Sequence, residues 1–181
     1  MSRALTKKSH QEFFETRNSK QFAQLQQLAI ESDEYDFNVL QLVKLESQLN
    51  TCNPSQLLDA FEQLPEHLQV CPRYHYVAAR LRESLGETER MQASIENLRA
   101  CLTAIVEMAE GTQESPFSIA FVTDADDVLR SLGESTRCSA FVQNQNRSFD
   151  VMTAHSGHDF WFDVTKIVAK QPSSFIARAV I

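Results

Sequence analysis

Apolar side chains recur at helical spacing through the first half of the chain. Three segments place apolar residues at positions i, i+3 or i+4, and i+7, the pattern of a helix that buries one face. They begin at Phe22, Leu57 and Met91, so their first residues are 35 and 34 positions apart. Two further amphipathic stretches, residues 37–49 and 74–85, lie between them. We therefore expect antiparallel helix pairs in this half.

Capping and turn residues mark where these helices begin and end. Asn53 and Pro54 come just before the second segment. Asparagine can accept from the free N–H groups of the first turn, and proline is tolerated at the first helical position. Ser19 and Thr88 are the corresponding start signals of the other two segments. Gly86 stands where a helix would end in a left-handed residue.

The last helix of this half is predicted to be the longest. Residues 91–110 contain no helix breaker and keep apolar positions at helical spacing. We expect this helix to pass from the helical part onto the C-terminal part. The predicted boundary separates residues 1–110 from residues 111–181, and the two parts are expected to form one compact unit.

The pattern changes after residue 111 to short apolar runs with strand-like alternation. Turn-forming residues separate the later runs, which predicts antiparallel hairpins. The predicted fold class is α+β, mainly α: antiparallel helix pairs followed by a small antiparallel sheet with one short helix. The apolar runs are residues 117–122, 138–142, 149–152 and 160–164, and the short amphipathic helix is residues 124–132.

Alternation along the later strands also predicts which side chains face the core. Successive side chains of a strand point to opposite faces of the sheet. Trp161 and Asp163 are expected on the outer face. The candidate inner residues are Phe149, Val151, Phe160, Phe162 and Val164.

The spacing of small residues in the helical part is that of a known repeat. Ala79 and Gly86 stand seven positions apart, and Pro72 lies at the boundary of a unit that recurs at about 34 residues. In these features residues 4–110 resemble tetratricopeptide-like repeats, although Met91 takes the place of the usual alanine and the family's tryptophan is missing. The resemblance implies a surface that binds a protein or peptide partner.

A second resemblance covers about residues 72–166. A proline and apolar strand are followed by an acidic-start helix over residues 124–133, then by the Phe-Asp-Val run at 149–151 and the Phe-Trp-Phe-Asp-Val run at 160–164. This order is similar to an uncharacterised bacterial family known only as a domain of unknown function. The resemblance implies an architecture, a sheet module after tetratricopeptide-like helices, and brings no activity with it.

Charge and composition argue against several kinds of partner and cofactor. The net charge is −7 and the chain has no run of Lys or Arg, so we expect neither a nucleic-acid nor a membrane partner. The N-terminus lacks the apolar segment of a secretory signal, which favours the cytoplasm. Four glycines are too few for a nucleotide fingerprint, and no cofactor is expected. Reduced thiols are expected at Cys52, Cys71, Cys101 and Cys138.

The run His155-Ser-Gly-His158-Asp159 is the densest cluster of candidate chemistry. Two imidazoles and a carboxylate could hold a metal or a ligand beside Trp161, or Asp159 could orient His158 as a base. The alternative is a tight turn that exposes both histidines, and this alternative is favoured because Ser-Gly is typical of turns. Neither a catalytic residue nor a metal ligand is therefore assigned.

Three aspartates at the start of the short helix allow two interpretations. Asp124, Asp126 and Asp127 could bind a metal, or they could cap the helix and interact with its dipole. Because no further ligands follow at the spacing of a calcium loop, capping is favoured.

Basic and aromatic side chains of the helical part form a candidate partner-binding face. Such a face could bind acidic peptide ends through arginine. Because glutamates are interleaved with these arginines, a solvated surface is the alternative. The candidate partner-binding residues are Tyr74, Tyr76, Arg80, Arg82, Arg90 and Arg99.

Taken together, the sequence predicts a protein-interaction or scaffold module without catalysis. The alternative is a small-ligand-binding protein or a hydrolase-like enzyme that uses a pocket near the 155–163 hairpin. A third possibility is a homo-oligomer in which the tail, residues 173–181, completes a neighbour's sheet.

Overall fold

The computed structural model describes residues 3–170, with side chains from residue 8 onward. The fold class is α+β, mainly α, which confirms the prediction. The helices are α1 (Arg3–Thr16), α2 (Ser19–Glu31), α3 (Leu40–Gln48), α4 (Pro54–Glu62), α5 (Pro72–Ser84), α6 (Thr88–Glu107), α7 (Val122–Ser131) and α8 (Thr165–Lys170), with a 3-10 helix at Glu66–Val70. The strands are β1 (Phe117–Ser118), β2 (Thr136–Asn144), β3 (Arg147–Ala154) and β4 (Asp159–Asp163).

Local sequence sets the ends of the helices. Asn18, and not Ser19, caps α2, because its side chain accepts from two N–H groups of the first turn. Asn53 caps α4 in the same way, with Pro54 at the first helical position, as predicted. Gly86 follows α5 with a φ of 71°, which a residue with a side chain adopts only at a cost.

Helices α5 and α6 form the centre of the helical part. They pack along each other more extensively than the other described helix pairs, and α3, α4 and the 3-10 helix all contact α5. Helix α2 packs against α6 and the 3-10 helix. Helices α2, α4 and α6 begin 35 and 34 positions apart, as the periodicity predicted. Helix α6, at 20 residues, is longer than the helices before it and reaches β1 and α7, which confirms that prediction.

The sheet has the strand order β1-β4-β3-β2. Strands β2, β3 and β4 form the predicted antiparallel meander, whereas β1 pairs in parallel with β4, so the sheet is mixed. The predicted strand over residues 117–122 ends at Ser118. Beyond it Ile119, Ala120 and Phe121 are buried in the core and lead directly into α7. The apolar residues after Ser118 therefore pack in the core and do not pair with another strand.

The register of β3 and β4 corrects the predicted inner face. Val151 pairs with Trp161 and Phe149 pairs with Asp163, and side chains of directly paired residues share a face. Phe149 and Val151 therefore lie on the same face as Trp161, opposite to the face that carries Phe162 into the core. The prediction was right for Phe162 and Val164, which lie in the shared core, and wrong in placing Phe149 and Val151 on their face, because the sequence does not reveal which residues of the two strands pair.

The helical part and the sheet share one core. A single cluster of buried apolar side chains extends from Phe13 in α1 to Val168 in α8. None of the helices described between residues 3 and 170 combines the length and apolar character that a membrane span requires. The prediction about residues 173–181 lies outside the described residues.

Candidate functional site

Two adjoining cavities form a groove on the helical part. Their volumes are about 610 and 430 Å³, and they share the lining residues Glu34, Gln63, Pro65 and His67, so they lie side by side. Their walls come from the C-terminal end of α2, residues 63–65 just after α4, the loop of residues 32–39, the start of α3 and the 3-10 helix. We call this feature the acidic groove; its ionisable side chains are Glu31, Asp33, Glu34, Asp36, Glu66, His10 and His67.

The loop of residues 32–39 is anchored to the sheet part of the molecule. Tyr35 and Phe37 are buried in the core. The Tyr35 hydroxyl donates to the carbonyl of Ala120, and the Val122 N–H donates to the carbonyl of Phe37 at 3.0 Å. Because these contacts hold the loop against the start of α7, one wall of the groove is formed before any ligand arrives.

Asp36 fixes the far end of the same loop. Its carboxylate accepts from the N–H groups of Asn38 at 3.0 Å and Leu40 at 2.8 Å, and so caps the start of α3. Val39, between them, has a φ of 46°, a left-handed conformation that is rare for a β-branched residue. The loop therefore has a defined shape that depends on an acidic side chain of the groove.

The electrostatic character of the groove is negative throughout. Among the described residues that line the two cavities, none is Lys or Arg. The C-terminal ends of α2 and α4 both lie at the groove, and the free carbonyls of a helix C-terminus carry a partial negative charge. The carboxylates of Asp33 and Glu34 form no hydrogen bond or ion pair with the described part of the chain. The carboxylates and the partial charges of the helix ends therefore both make the electrostatic potential in the groove negative.

His10 lies in the wall of the groove with a side chain that is almost fully enclosed. The residue is 2% exposed, and its Nδ1 has no hydrogen-bond partner among the described residues. Burial lowers the pKa of His10 to about 4, although the nearby Glu66 carboxylate acts in the opposite direction. His10 is therefore neutral near pH 7, and one polar ring atom is left unsatisfied in a residue that lines the larger cavity.

His67 lines both cavities. Its Nδ1 lies 3.5 Å from the Ser32 hydroxyl at the end of α2. Burial lowers the pKa of His67, while the charges of Glu34 and Asp36 oppose that shift. Glu34 and Asp36 line the same cavity as His67, so the acidic loop lies close to the imidazole.

The predicted partner-binding residues on α5 and α6 are used mainly in local contacts. Tyr74 packs on Phe61, with ring centroids 4.4 Å apart, and Arg82 donates to Ser94 and to the carbonyl of Arg90. Arg80 forms an ion pair with Glu83 in α5, and Arg90 forms one with Glu87, the residue just before α6. The six residues, Tyr74, Tyr76, Arg80, Arg82, Arg90 and Arg99, line neither cavity of the acidic groove.

The predicted histidine cluster lies at the turn between β3 and β4. His155 and His158 are exposed, and Asp159 accepts from the Thr153 hydroxyl at 2.7 Å. Trp161 packs edge-on against Phe149 in the sheet, at 5.5 Å between ring centroids. Within residues 3–170, no group of three or more His, Cys, Asp or Glu side chains is arranged to hold a metal ion.

The three aspartates of α7 have separate partners. Asp126 accepts from the Thr136 hydroxyl, whereas Asp127 binds the buried guanidinium of Arg73. Asp124 is fully buried, and its Oδ2 accepts from the N–H groups that precede the helix, those of Ala120 at 3.1 Å and Phe121 at 3.0 Å. The predicted capping role thus applies to Asp124, which binds the N–H groups of the two residues just before α7.

Burial also perturbs Asp124 strongly. It raises the pKa of this carboxyl to about 7, although the two backbone N–H donors oppose the shift. The Oδ1 atom has no hydrogen-bond partner within the described residues. Asp124 is therefore the described acidic group whose ionisation most clearly opposes folding at neutral pH.

The acidic groove was missed by sequence reasoning, although the sequence contained a signal. Residues 31–36 read Glu-Ser-Asp-Glu-Tyr-Asp at the end of a predicted helix. Negative charge at a helix C-terminus interacts unfavourably with the helix dipole. Four acidic residues in six positions therefore indicate a functional role, because they do not stabilise the helix. Neither His10 nor His67 could be connected to this run without the fold.

No protein-family model, curated protein or solved structure matches this chain. The resemblances to tetratricopeptide-like repeats and to an uncharacterised bacterial family therefore stay predictions.

Proposed function

We propose that this protein is a non-catalytic protein-interaction module that binds a segment of a partner in the acidic groove. The observation that carries the proposal is the groove itself, two adjoining cavities beside a loop that is anchored to the core. A preformed site avoids the entropy cost of ordering a loop on binding. Its length across two cavities suits an extended peptide better than a compact metabolite.

The test blocks the groove with one exposed side chain. Gln63 is exposed and lines both cavities, so Gln63→Trp should fill the groove without disturbing the core. Gln56→Trp, at an exposed position in α4 just before Gln63, is the matched control. Peptides are selected from a displayed random library on the wild-type protein, and their affinities for both variants are measured.

We expect the selected peptides to lose at least about tenfold in affinity for Gln63→Trp and to keep their affinity for Gln56→Trp, since an interface centre tolerates a bulky obstruction poorly. Equal binding to both variants, or no selected peptide at all, would contradict the proposal.

Two further predictions concern the cellular location and the alternative function. A cytoplasmic location is supported by the four cysteines, which are all unpaired thiols. The alternative is a ligand site or hydrolase-like enzyme near the 155–163 hairpin, where His155 and His158 are exposed and Asp159 pairs with Thr153. It stays an untested prediction.

A further inference from the structure

We propose that the acidic groove selects a basic segment of its partner, with a lysine or arginine side chain placed between the carboxylates of the 32–39 loop and the ring of His10. This inference rests on the proposed function and names the chemistry of the partner.

The first support is charge that is available to a ligand. Asp33 and Glu34 are exposed, and neither carboxylate forms an ion pair or hydrogen bond with the described part of the chain. Glu31 lies on the same rim. Because no cation of the described chain lines the groove, a ligand that brings its own positive charge meets no repulsion there.

The second support is the direction of the helices. Helix α2 ends at Glu31, which lines the larger cavity, and α4 ends at Glu62, next to Gln63, which lines both cavities. A helix C-terminus attracts cations and repels anions, and here two C-termini act on the same space. Neither helix has a basic residue in its last turn to offset this charge.

The third support is independent of the acidic cluster. His10 is 98% buried, lines the larger cavity and leaves Nδ1 without a partner in the described chain. Its burial keeps the ring neutral, so the ring does not repel a cation. A buried polar atom without a partner is costly to the free protein, and a ligand polar group that reaches it would remove that cost.

The predicted arginine face on α5 and α6 would take the opposite kind of partner. That face would bind acidic peptide ends, whereas the acidic groove would repel them. Whether the protein binds basic or acidic peptides therefore shows which of the two sites is used.

The experiment compares three fluorescent peptides of equal length, built on lysine and arginine, on glutamine, and on glutamate. Their affinities for the full chain are measured by fluorescence anisotropy at low and physiological salt. We expect the basic peptide to bind at least tenfold more tightly than the glutamine peptide, and salt to weaken it.

Two double variants with the same change of net charge give the control. Asp33→Asn with Glu34→Gln removes two exposed carboxylates of the groove. Asp59→Asn with Glu96→Gln removes two exposed carboxylates, one of α4 and one of α6, that line neither cavity. The first double variant should lower the affinity for the basic peptide about fivefold, because exposed charge pairs are of modest strength. The second double variant should leave this affinity almost unchanged.

The outcomes separate this inference from the proposed function. Equal losses from both double variants would mean that net charge alone attracts the peptide, which overturns the inference. Groove-dependent binding of neutral or acidic peptides would overturn it as well, yet leave the proposed function standing. If Gln63→Trp weakens no library peptide, the proposed function itself fails.

A variant of His10 tests the buried contact. His10→Phe keeps the size of the ring and removes both nitrogens, and we expect it to lower affinity for the basic peptide about fivefold. Unchanged affinity in a folded His10→Phe protein would overturn the contact to His10. The surface double variants keep the proposal falsifiable if this variant does not fold.

Discussion

The buried guanidinium of Arg73, in α5, meets carboxylates from two other helices. It donates to both oxygens of Asp127 in α7, at 2.6 to 3.1 Å, and to both oxygens of Glu46 in α3 at 3.0 Å. Burial alone would lower the pKa of Arg73, but the hydrogen bonds and charges of the two carboxylates raise it. The side chain is therefore cationic at every ordinary pH. The three residues tie α3, α5 and α7 together at one point.

Removal of one partner should be costly, because it leaves a buried charge without compensation. We expect Asp127→Asn to lower the free energy of unfolding by about 3 kcal/mol, measured by urea denaturation. Glu83→Gln, which breaks the exposed pair with Arg80, should cost less than about 1 kcal/mol. Similar small losses in both variants would show that Glu46 and water compensate for Asp127.

Asp124 gives the pH dependence of stability a definite sign. Its folded pKa is raised to about 7 from an ordinary value near 4, so between these values the folded protein keeps a proton that the unfolded chain releases. The contribution of Asp124 to stability is therefore full below about pH 4 and is lost as the pH rises towards 7. The buried imidazoles of His10 and His75, whose pKa values are lowered to about 4, change stability in the opposite direction.

The variant Asp124→Asn isolates the effect of Asp124 because it keeps an acceptor for the two N–H groups but never ionises. Relative to wild type, it should gain roughly 2–4 kcal/mol of stability between pH 4 and pH 8. Urea denaturation at several pH values measures this difference, and the contributions of the histidines cancel between the two proteins. Parallel pH profiles would contradict the assignment of a raised pKa to Asp124.

At the scale of elements, the connection between α6 and β1 depends on a glycine. Gly111 has a φ of 73°, and its carbonyl accepts from the Trp161 N–H at 2.8 Å, which ties the connection to β4. A Cβ atom at Gly111 would overlap the ring of the buried Phe117. Gly86, with a φ of 71°, has open space where its Cβ would lie.

The two glycines therefore form a natural pair for comparison. Gly86→Ala should cost about 1 kcal/mol, from backbone strain alone. Gly111→Ala should cost roughly 1–3 kcal/mol more, because the new methyl group also displaces a core aromatic ring. Thermal or urea unfolding of both variants measures the difference, and equal costs would show that the Phe117 ring can move aside.

The elements differ in how far the sequence predicted them. Helix ends at Asn53 and Gly86 depend on contacts within a few residues, so local sequence was sufficient. The short β1 and the inner face of β3 depend on what packs from elsewhere in the chain. Apolar alternation over residues 117–122 satisfies both a strand and a buried connection, and pattern alone cannot distinguish these two outcomes.

At the scale of the molecule, the continuous core from α1 to α8 predicts cooperative unfolding. The single tryptophan, Trp161, reports on the sheet, whereas far-ultraviolet circular dichroism reports mainly on the helices. We expect the two signals to give the same midpoint in urea. Two separate midpoints would show that the predicted boundary near residue 111 divides the chain into independent folding units.

The candidate site could be predicted only in part from the sequence. The acidic run at residues 31–36 was visible, but it resembles any solvated surface until the ends of α2 and α4 are seen to converge on it. His10 is separated from that run by a whole helix, and its burial follows from packing between α1, α2 and the 3-10 helix. Sites assembled from distant segments require the fold, whereas the predicted hairpin histidines are neighbours in the chain.

The hydrogen bond from the Val122 amide to Phe37 offers a remote probe of the groove. Exchange of that amide with deuterated solvent requires the loop to detach from α7, so its exchange rate reports how often the groove wall opens. The exchange rate of the Val122 amide hydrogen therefore measures opening of the groove wall from a position outside the groove.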